Sequence, residues 1–224
     1  MIRACLFDFD GTIADTAPTI IFTFHATFEE TGLADCTDDQ IRATIGLPLN
    51  TSFMVLHPEI DPKRAQELCE VYRKIYVARA FKKLVMYPHI EETLKRCQAQ
   101  GMKLAVVSSK RTEMIVQMTQ TLGIDTLFSV LLGEDAVLNK KPAPDMALKA
   151  LALLGGIPAD EAVVIGDSAY DIEMGERAAC HTIWAAYGYG TEEAVGPKNP
   201  DRIARAPEDV WSQIAALSGI KEAV

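Results

Sequence analysis

Hydrophobic residues along the chain follow two different periods, and the change between them divides the sequence. Residues 2–9 are mostly apolar and are followed by the turn-forming sequence Asp-Gly-Thr at 10–12, which predicts a buried strand. Between residues 17 and 84, apolar residues recur every three or four positions, which is typical of amphipathic helices. The predicted helices cover residues 17–31, 38–45, 51–56 and 62–83. This segment is therefore predicted to be all helical.

Beyond residue 87 the pattern alternates between helical and strand periods. Helices are predicted at 90–100, 112–122, 144–154 and 169–178, and strands at 103–107, 127–132, 162–165 and 182–185. Strands and helices that alternate at these lengths are typical of β-α-β units around a parallel sheet. We therefore predict an α/β fold, in which a Rossmann-like parallel-sheet core domain (residues 1–16 and 85–224) carries an inserted all-helical cap domain (residues 17–84).

Composition and charge exclude several classes of partner. The chain has 224 residues, of which 49% are hydrophobic and 24% charged, as expected of a globular protein with a sizeable core. It has 22 Lys and Arg against 31 Asp and Glu, so its formal net charge is -9. A negative field repels polyanions, and no basic stripe with interleaved aromatic residues is present. We therefore expect neither nucleic acid nor an anionic membrane as a partner.

The cysteines and the first residues bear on the cellular compartment. The five cysteines are an odd number without a Cys-x-x-Cys pair, so they predict neither a disulfide framework nor a zinc site. The apolar run near the N-terminus is too short for a signal peptide or a membrane span. These features predict a cytoplasmic protein, and they do not decide between a monomer and a homodimer.

Polar residues cluster at the predicted carboxyl ends of the strands, where open parallel sheets bind their ligands. They are Asp8, Asp10, Ser108, Ser109, Asp167 and Asp171, and Lys141 precedes the helix predicted at 144–154. Mg²⁺ prefers oxygen ligands, commonly one or two carboxylates together with a substrate phosphate. Asp8, Asp167 and the carbonyl group of Asp10 could supply such ligands. The sequence therefore predicts a Mg²⁺ site at this edge.

Four motifs in order along the chain resemble those of the haloacid dehalogenase-like hydrolase superfamily, in the branch with a helical cap. They are Asp8-Phe9-Asp10-Gly11-Thr12, Ser108 at a strand end, Lys141-Pro142-Ala143-Pro144-Asp145, and Gly166-Asp167-Ser168 continuing to Asp171. Within the superfamily the chain is most similar to phosphoglycolate phosphatases and related small-molecule phosphatases. Asp15-Thr16-Ala17-Pro18 and the Gly46-Leu47-Pro48 turn carry this finer resemblance.

The resemblance implies a Mg²⁺-dependent phosphatase that hydrolyses small phosphate monoesters, such as phosphoglycolate, through an aspartyl-phosphate intermediate. Its substrate would be a small phosphorylated metabolite. The resemblance implies that Asp8, Asp10 and Lys141 are catalytic and that Gly11, Thr12, Ser108 and Ser109 bind phosphate. It implies that the metal is bound by Asp8, Asp10 and Asp167 and that Asp171 and Ser168 support these ligands. Specificity would come from four residues of the cap: Arg42, Gly46, Leu47 and Pro48.

Other activities and simpler roles remain open at this stage. Dehalogenases of this superfamily lack an aspartate at the position of Asp10, which disfavours that activity. Hexose-phosphate mutases of the β-phosphoglucomutase type keep both aspartates, but they commonly carry Val in place of Thr12 and His in place of Ile20. An inorganic pyrophosphatase would use the same site, and a binding protein without turnover would not need all four motifs.

Several side chains have a structural alternative to the role that the resemblance implies. Ser108 and Ser109 could cap the helix that follows them, and Asp171 could simply pair with a nearby cation. Lys140, which lies next to Lys141, is interpreted as a solvated surface charge. The aromatic residues Trp184, Tyr187 and Tyr189 are interpreted as packing residues.

Overall fold

Six parallel strands form the main sheet of this computed structural model, which describes residues 1–81 and 84–220. The strands of the chain are β1 (Ala4–Phe7), β2 (Ala14–Asp15), β3 (Val85–Met86), β4 (Lys103–Val107), β5 (Val130–Leu132), β6 (Ala162–Gly166), β7 (His181–Ala185) and β8 (Arg202–Ala204). The order across the main sheet is β5-β4-β1-β6-β7-β8, and β2 and β3 pair separately. The direction of chain progression therefore reverses at β1, which lies between β4 and β6.

The helices are α1 (Ala17–Thr31), α2 (Asp38–Arg42), α3 (Leu49–Leu56), α4 (Pro62–Ile75), α5 (Ile90–Ala99), α6 (Thr112–Thr121), α7 (Asp145–Leu153), α8 (Ala169–Arg177), α9 (Glu192–Val195) and α10 (Asp209–Ser218). All residues of β1 and β6 are buried, which is characteristic of a parallel sheet covered on both faces. Apolar residues of α7 and α8 pack against these strands in one core cluster. The predicted α/β fold class is confirmed.

The chain folds into two compact units, Met1–Ala14 with Met86–Val224, and Asp15–Val85. The first contains the main sheet and α5 to α10, and the second contains α1 to α4. The predicted boundaries, 1–16 with 85–224 and 17–84, differ from these limits by one or two residues. The assignment of these units as catalytic core and cap stays a prediction.

The helical unit is built around aromatic side chains and defined helix ends. Rings of α1, α3 and α4 contact one another, with Phe24 centred 5.0 Å from Phe53 and 4.9 Å from Tyr72. Gly32 ends α1 with a positive φ of 70°, a conformation that glycine adopts without strain. Asp61 caps α4 by accepting a hydrogen bond from the amide of Arg64.

The boundaries of the elements differ from the prediction in several places. The helix predicted at 62–83 ends as an α-helix at Ile75 and continues as a π-helical segment, Tyr76–Ala80, and residues 82 and 83 lie outside the described residues. The first strand is shorter than 2–9: it covers Ala4–Phe7, and the bend that follows it begins at Phe9. The strand predicted at 127–132 begins at Val130, since Asp125–Leu127 forms a 3-10 turn. The prediction did not cover β2, β3, β8, α9 and α10.

Within residues 1–81 and 84–220, no helix combines the length and the apolar character needed to cross a membrane. The cytoplasmic location stays a prediction.

Candidate active site

The strand ends bring the first carboxylates and hydroxyls of the site together. The amide of Asp8 donates a 2.8 Å hydrogen bond to the carbonyl of Ile165 in β6, which extends the sheet one residue past β1. The amide of Ser108 likewise donates to Leu132 at 3.0 Å. Asp167 directly follows β6. The sheet therefore delivers Asp8, Ser108 and Asp167 to the same edge, at the point where the strand order reverses.

Lys141 bridges two buried carboxylates. Its Nζ lies 2.6 Å from Oδ1 of Asp8 and 2.5 Å from Oδ1 of Asp171, and its side chain is only 3% exposed. Asp8 is 133 residues away along the chain and Asp171 is 30 residues away. Charge-assisted hydrogen bonds of this kind are short and directional. Lys141 therefore fixes the orientation of the predicted nucleophile.

Burial and neighbouring charges shift the pKa values of this pair. Burial raises the pKa of Asp8 to about 7; Lys141 acts in the opposite direction, whereas Asp171 and Asp10 add to the rise. Burial by itself would lower the pKa of Lys141, but the negative charges of Asp171 and Asp8 outweigh it and hold that pKa above its usual range. Lys141 is therefore a permanent cation that offsets the surrounding carboxylates.

Asp171 is held by its own helix. Its Oδ2 accepts hydrogen bonds from the hydroxyl of Ser168 at 2.6 Å and from the amide of Ser168 at 3.0 Å. The Ser168 hydroxyl accepts in return from the amide of Asp171, so the two residues form a capping box at the start of α8. Because one oxygen of Asp171 binds Ser168 and the other binds Lys141, its contacts are those of a residue that positions the lysine. In the alternative in which Asp171 only pairs with a nearby cation, that cation is Lys141.

Asp167 is fixed by two residues that the sequence pattern indicates only as packing residues. The amide of Tyr189 donates a 2.7 Å hydrogen bond to Oδ2 of Asp167, and the indole Nε1 of Trp184 donates to its carbonyl at 3.0 Å. Burial raises the pKa of Asp167 well above its usual range, and the charges of Asp171 and Asp8 act in the same direction. No motif in the sequence points to the Tyr189 amide, because a backbone donor can be supplied by any residue except proline.

Glycines allow the backbone to approach Asp167 closely. A Cβ atom at Gly11, which has a φ of +74°, would overlap the Asp167 carboxylate and lie 2.9 Å from the Tyr189 ring. A Cβ atom at Gly188 would overlap Cβ of Asp167 and the Gly11 carbonyl, and one at Gly190 would overlap the Asp167 carbonyl. The turn at Gly11 and the loop that follows β7 therefore enclose Asp167 from two sides.

Asp10 has a lysine partner that the sequence motifs do not identify. Nζ of Lys110 lies 2.9 Å from Oδ2 of Asp10, and the two side chains are 16% and 12% exposed. Lys110 comes two residues after Ser108, in the loop between β4 and α6. In the sequence, only its position directly after two serines at a strand end indicates that Lys110 could belong to the site. Lysine is common in surface loops, so this position alone is weak evidence.

The predicted phosphate-binding residues lie at the same edge of the sheet. Ser108 is buried, and its Oγ accepts a 3.4 Å hydrogen bond from the amide of Lys110. The N-cap of α6 is Arg111, so Ser108 and Ser109 do not cap that helix. The amides of Gly11 and Thr12 donate to carbonyls within their own turn, to Ala14 at 3.0 Å and Phe9 at 3.4 Å respectively. Phosphate binding by these residues stays a prediction.

Three carboxylates lie close enough together to share a metal ion. Oxygen atoms of Asp8, Asp167 and Asp171 lie within 4.8 Å of one another, and all three residues are buried. The sequence predicts Asp8, Asp10 and Asp167 as the metal-binding residues. The two sets differ partly because Asp10 is predicted to contribute its carbonyl oxygen and not its carboxylate. Buried carboxylates at this spacing repel one another, and a hard divalent cation with oxygen ligands fits them.

The four predicted specificity residues lie in the helical unit. Arg42 is the last residue of α2 and is exposed, and Gly46, Leu47 and Pro48 are partly buried in the connection to α3. Their role in specificity stays a prediction. Lys140, interpreted as a solvated charge, is 39% exposed but lies 2.8 Å from Glu134, whose side chain is 11% exposed.

Comparison with known proteins identifies the family. The family model described as haloacid dehalogenase-like hydrolase matches residues 5–185. Phosphoglycolate phosphatase of Aquifex aeolicus is 34% identical over 209 residues, which cover 93% of this chain and 95% of that protein. Pyrophosphatase PpaX of Halalkalibacterium halodurans is also 34% identical over 209 residues, with the same coverage of both chains.

A solved structure shows the same fold at lower identity. The crystal structure of a Bacteroides fragilis protein, provisionally described as a haloacid dehalogenase-like hydrolase, superposes with a TM-score of 0.87 and 27% identity. The match covers 94% of this chain and 100% of that one. These comparisons confirm the predicted family and the predicted enzyme class, a phosphatase of this family. The chain belongs to the haloacid dehalogenase-like hydrolases.

Proposed function

We propose that this protein is a Mg²⁺-dependent phosphatase that hydrolyses small phosphate monoesters, phosphoglycolate among them, through an aspartyl-phosphate on Asp8. One observation carries the proposal: the carboxylate of Asp8 lies at the carboxyl end of the central strand, 2.6 Å from the buried ammonium group of Lys141. A carboxylate at the switch point of a parallel sheet, oriented by a fixed cation, is suited to attack a bound phosphate.

Asp8 is the nucleophile in this proposal. One of its oxygens attacks phosphorus, the bond from phosphorus to the ester oxygen breaks, and an acyl phosphate forms on Asp8. The carboxylate needs no separate base, because its ionised form is the attacking species. Lys141 favours that ionised form against the effect of burial, which raises the pKa of Asp8 to about 7. Lys141 also supplies positive charge close to the phosphoryl oxygens.

Asp10 is the general acid and base. Its side chain lies two residues beyond Asp8 and is 12% exposed, so it can meet both the leaving oxygen and water. Protonated Asp10 gives its proton to the ester oxygen as the alcohol leaves. Ionised Asp10 then takes a proton from the water that attacks the acyl phosphate, which releases inorganic phosphate and restores Asp8. The same carboxyl group thus serves both halves of the reaction.

The residues around Asp167 fit a magnesium ion. Asp8 and Asp167 are the carboxylate ligands in our assignment, together with the carbonyl oxygen of Asp10. Asp171 is assigned a supporting role, because its two oxygens already accept hydrogen bonds from Lys141 and Ser168. Bound Mg²⁺ would offset the negative charge of the phosphoryl group. Ser108 and Ser109 are assigned to the phosphoryl oxygens.

Pyrophosphate hydrolysis is the second candidate. The PpaX relative is as similar to this chain as the phosphoglycolate phosphatase relative, at 34% identity over the same length. The site requires no change for this substrate, because pyrophosphate offers a terminal phosphoryl group to Asp8. We assign the choice between such substrates to Arg42 and to residues 46–48 of the helical unit.

The test is phosphate release from a panel of phosphoglycolate, sugar phosphates, nucleotides, pyrophosphate and an aryl phosphate. Wild type and the Asp8→Asn variant are compared with Mg²⁺ and with a chelator. We expect release that needs both Mg²⁺ and Asp8, and the preferred compound separates the ester and pyrophosphate candidates. Release that survives both the chelator and Asp8→Asn would contradict the proposal. If no compound releases phosphate but β-glucose 1-phosphate is isomerised with a bisphosphate primer, the protein is a mutase.

A further inference from the structure

We propose that Lys110 is a positioning residue that holds the carboxyl group of Asp10 in place for proton transfer to the leaving group. The inference rests on the proposed phosphatase function and adds to it a residue that none of the four motifs contains. Lys110 Nζ lies 2.9 Å from Asp10 Oδ2, and both side chains are mostly buried. A short contact between a cation and a carboxylate restricts the carboxyl group more strongly than a neutral hydrogen bond does.

The backbone of Lys110 is itself held in a defined position. Its carbonyl accepts a 2.8 Å hydrogen bond from the amide of Glu134, and its amide donates to Oγ of Ser108 at 3.4 Å. Two residues later, the amide of Thr112 donates to Asp135 at 2.7 Å. A Cβ atom at Gly133 would overlap the Lys110 carbonyl and the Thr112 amide, so the two segments lie in direct contact. The lysine therefore extends from a backbone that is anchored on both sides.

The two lysines of the site form ion pairs with different carboxylates. Lys141 contacts Asp8 and Asp171 and is 3% exposed, whereas Lys110 contacts Asp10 and is 16% exposed. Asp10 directly precedes the turn at residues 11–13. General acid catalysis requires the donor to lie within hydrogen-bond reach of the leaving oxygen. Lys110 Nζ donates to Oδ2 of Asp10, so the proton that Asp10 transfers to the leaving oxygen is carried by Oδ1, and the ion pair holds the carboxyl group in that orientation.

The expected signature is a dependence on the leaving group. The alkyl phosphate phosphoglycolate releases a strongly basic alkoxide that needs a proton from Asp10. The aryl ester p-nitrophenyl phosphate releases a stabilised phenolate that needs no proton. The ratio kcat/KM reports the step that forms the phosphoenzyme, so it isolates this difference from the later hydrolysis step. We expect Lys110→Met to lower kcat/KM about 10- to 100-fold for the alkyl ester. For p-nitrophenyl phosphate we expect a change of less than about threefold, because only a small part of that barrier depends on the acid.

Two further variants separate positioning from a structural role. Lys110→Arg keeps the cation and should recover most of the alkyl-ester activity. Lys110→Met combined with Asp10→Asn should be no slower than Asp10→Asn alone, since residues that act as a unit are not additive. Lys95→Met is the matched control, because it removes a 2.6 Å pair with Glu91 on the surface of α5 and should leave both substrates unaffected.

The outcomes distinguish this inference from the proposed function. An equal loss of kcat/KM for both esters, or no loss for either, would overturn the role of Lys110. An additional loss in the double variant beyond that of Asp10→Asn would do the same. If the wild-type protein with Mg²⁺ hydrolyses neither ester, the proposed phosphatase function is contradicted. The role of Lys110 is then contradicted as well, because it depends on that function.

Discussion

The backbone amide of Tyr189 donates a 2.7 Å hydrogen bond to Oδ2 of Asp167. The hydrogen bond requires glycine on either side of Tyr189, because a Cβ atom at Gly188 or Gly190 would overlap Asp167. A loop after β7 thus determines the orientation of a carboxylate that follows β6. We propose that Asp167 is a metal ligand, and hydrogen bonds that orient a metal-binding carboxylate also tune the affinity of the site for its metal.

The first prediction concerns this loop. Gly188→Ala would place a methyl group against Cβ of Asp167 and the carbonyl of Gly11, so Asp167 must move. We expect the Mg²⁺ concentration for half-maximal activity to rise about 10- to 100-fold, the range seen when supporting contacts of a metal ligand are lost. Calorimetric titration with Mg²⁺ measures the same change without substrate.

Gly196→Ala is the control for the loop variant. Its new Cβ atom would meet only the end of the Glu192 side chain, at 2.9 Å, and that side chain can move. We expect wild-type Mg²⁺ dependence. Unchanged affinity in Gly188→Ala would show that Asp167 does not depend on this loop.

The second prediction concerns the buried ion pairs of Lys141. Lys141→Met leaves Asp8 and Asp171 without their cation at positions that are 10% and 2% exposed. We expect the free energy of unfolding in metal-free buffer to fall by about 3–5 kcal/mol, the usual cost of an uncompensated buried charge. Urea denaturation measures this free energy of unfolding.

Removing one of the charges should reverse part of that loss. Asp8→Asn added to Lys141→Met eliminates a carboxylate whose burial already raises its pKa to about 7. We therefore expect the double variant to be more stable than Lys141→Met. Equal or lower stability of the double variant would show that the lysine contributes by packing and not by charge.

The third prediction is a pH dependence in the helical unit. His25 contacts Asp35 through Nδ1 at 2.7 Å and Asp38 through Nε2 at 2.8 Å, so both ring nitrogens face carboxylates. Partial burial by itself would lower the pKa of His25, but the hydrogen bonds to Asp38 and Asp35 outweigh it and raise that pKa above 6.5. Proton NMR titration of the ring measures this shift directly.

The sign of the stability effect follows from the raised pKa. The protonated ring binds both carboxylates, so the stabilisation is fully present below the unfolded-state pKa of 6.5 and is lost as pH rises through the higher folded-state pKa. We expect a loss of less than about 1 kcal/mol, because the carboxylates are exposed to solvent. His25→Gln should abolish this dependence, whereas His181→Gln, whose Nδ1 is 3.7 Å from a single carboxylate, serves as the control. An unchanged pH profile in His25→Gln would contradict the prediction.

The fourth prediction concerns the hydroxyl group of Thr12. Its Oγ1 is buried and has no hydrogen-bond partner among the residues that the structure describes. A buried polar group without a partner is destabilising, so we expect Thr12→Val to raise the free energy of unfolding by about 1 kcal/mol. Thermal or urea denaturation measures this change. A lower stability would contradict this prediction, whereas a raised KM would support the phosphate-binding role predicted from the sequence.

Much of the site could be predicted from the sequence, because its main residues stand at the ends of strands. A buried strand that ends in Asp8 and another that ends before Asp167 place both carboxylates at one edge of a parallel sheet, whatever the details of the helices. The four-motif spacing then identified the family, and the same alternation of strands and helices predicted the fold class. Local pattern and chain connectivity suffice for these conclusions.

The contacts between segments depend on the tertiary structure. Lys110 and Asp10, Tyr189 and Asp167, and Trp184 and Asp167 meet only after the strands have paired. A lysine in a loop or a backbone amide has no distinctive sequence pattern, and the crossover connections decide which one reaches which carboxylate. The residues proposed to react could therefore be named from the sequence by itself, whereas their orientation was decided by long-range packing, because hydrogen bonds act over about 3 Å and sequence spacing does not measure that distance.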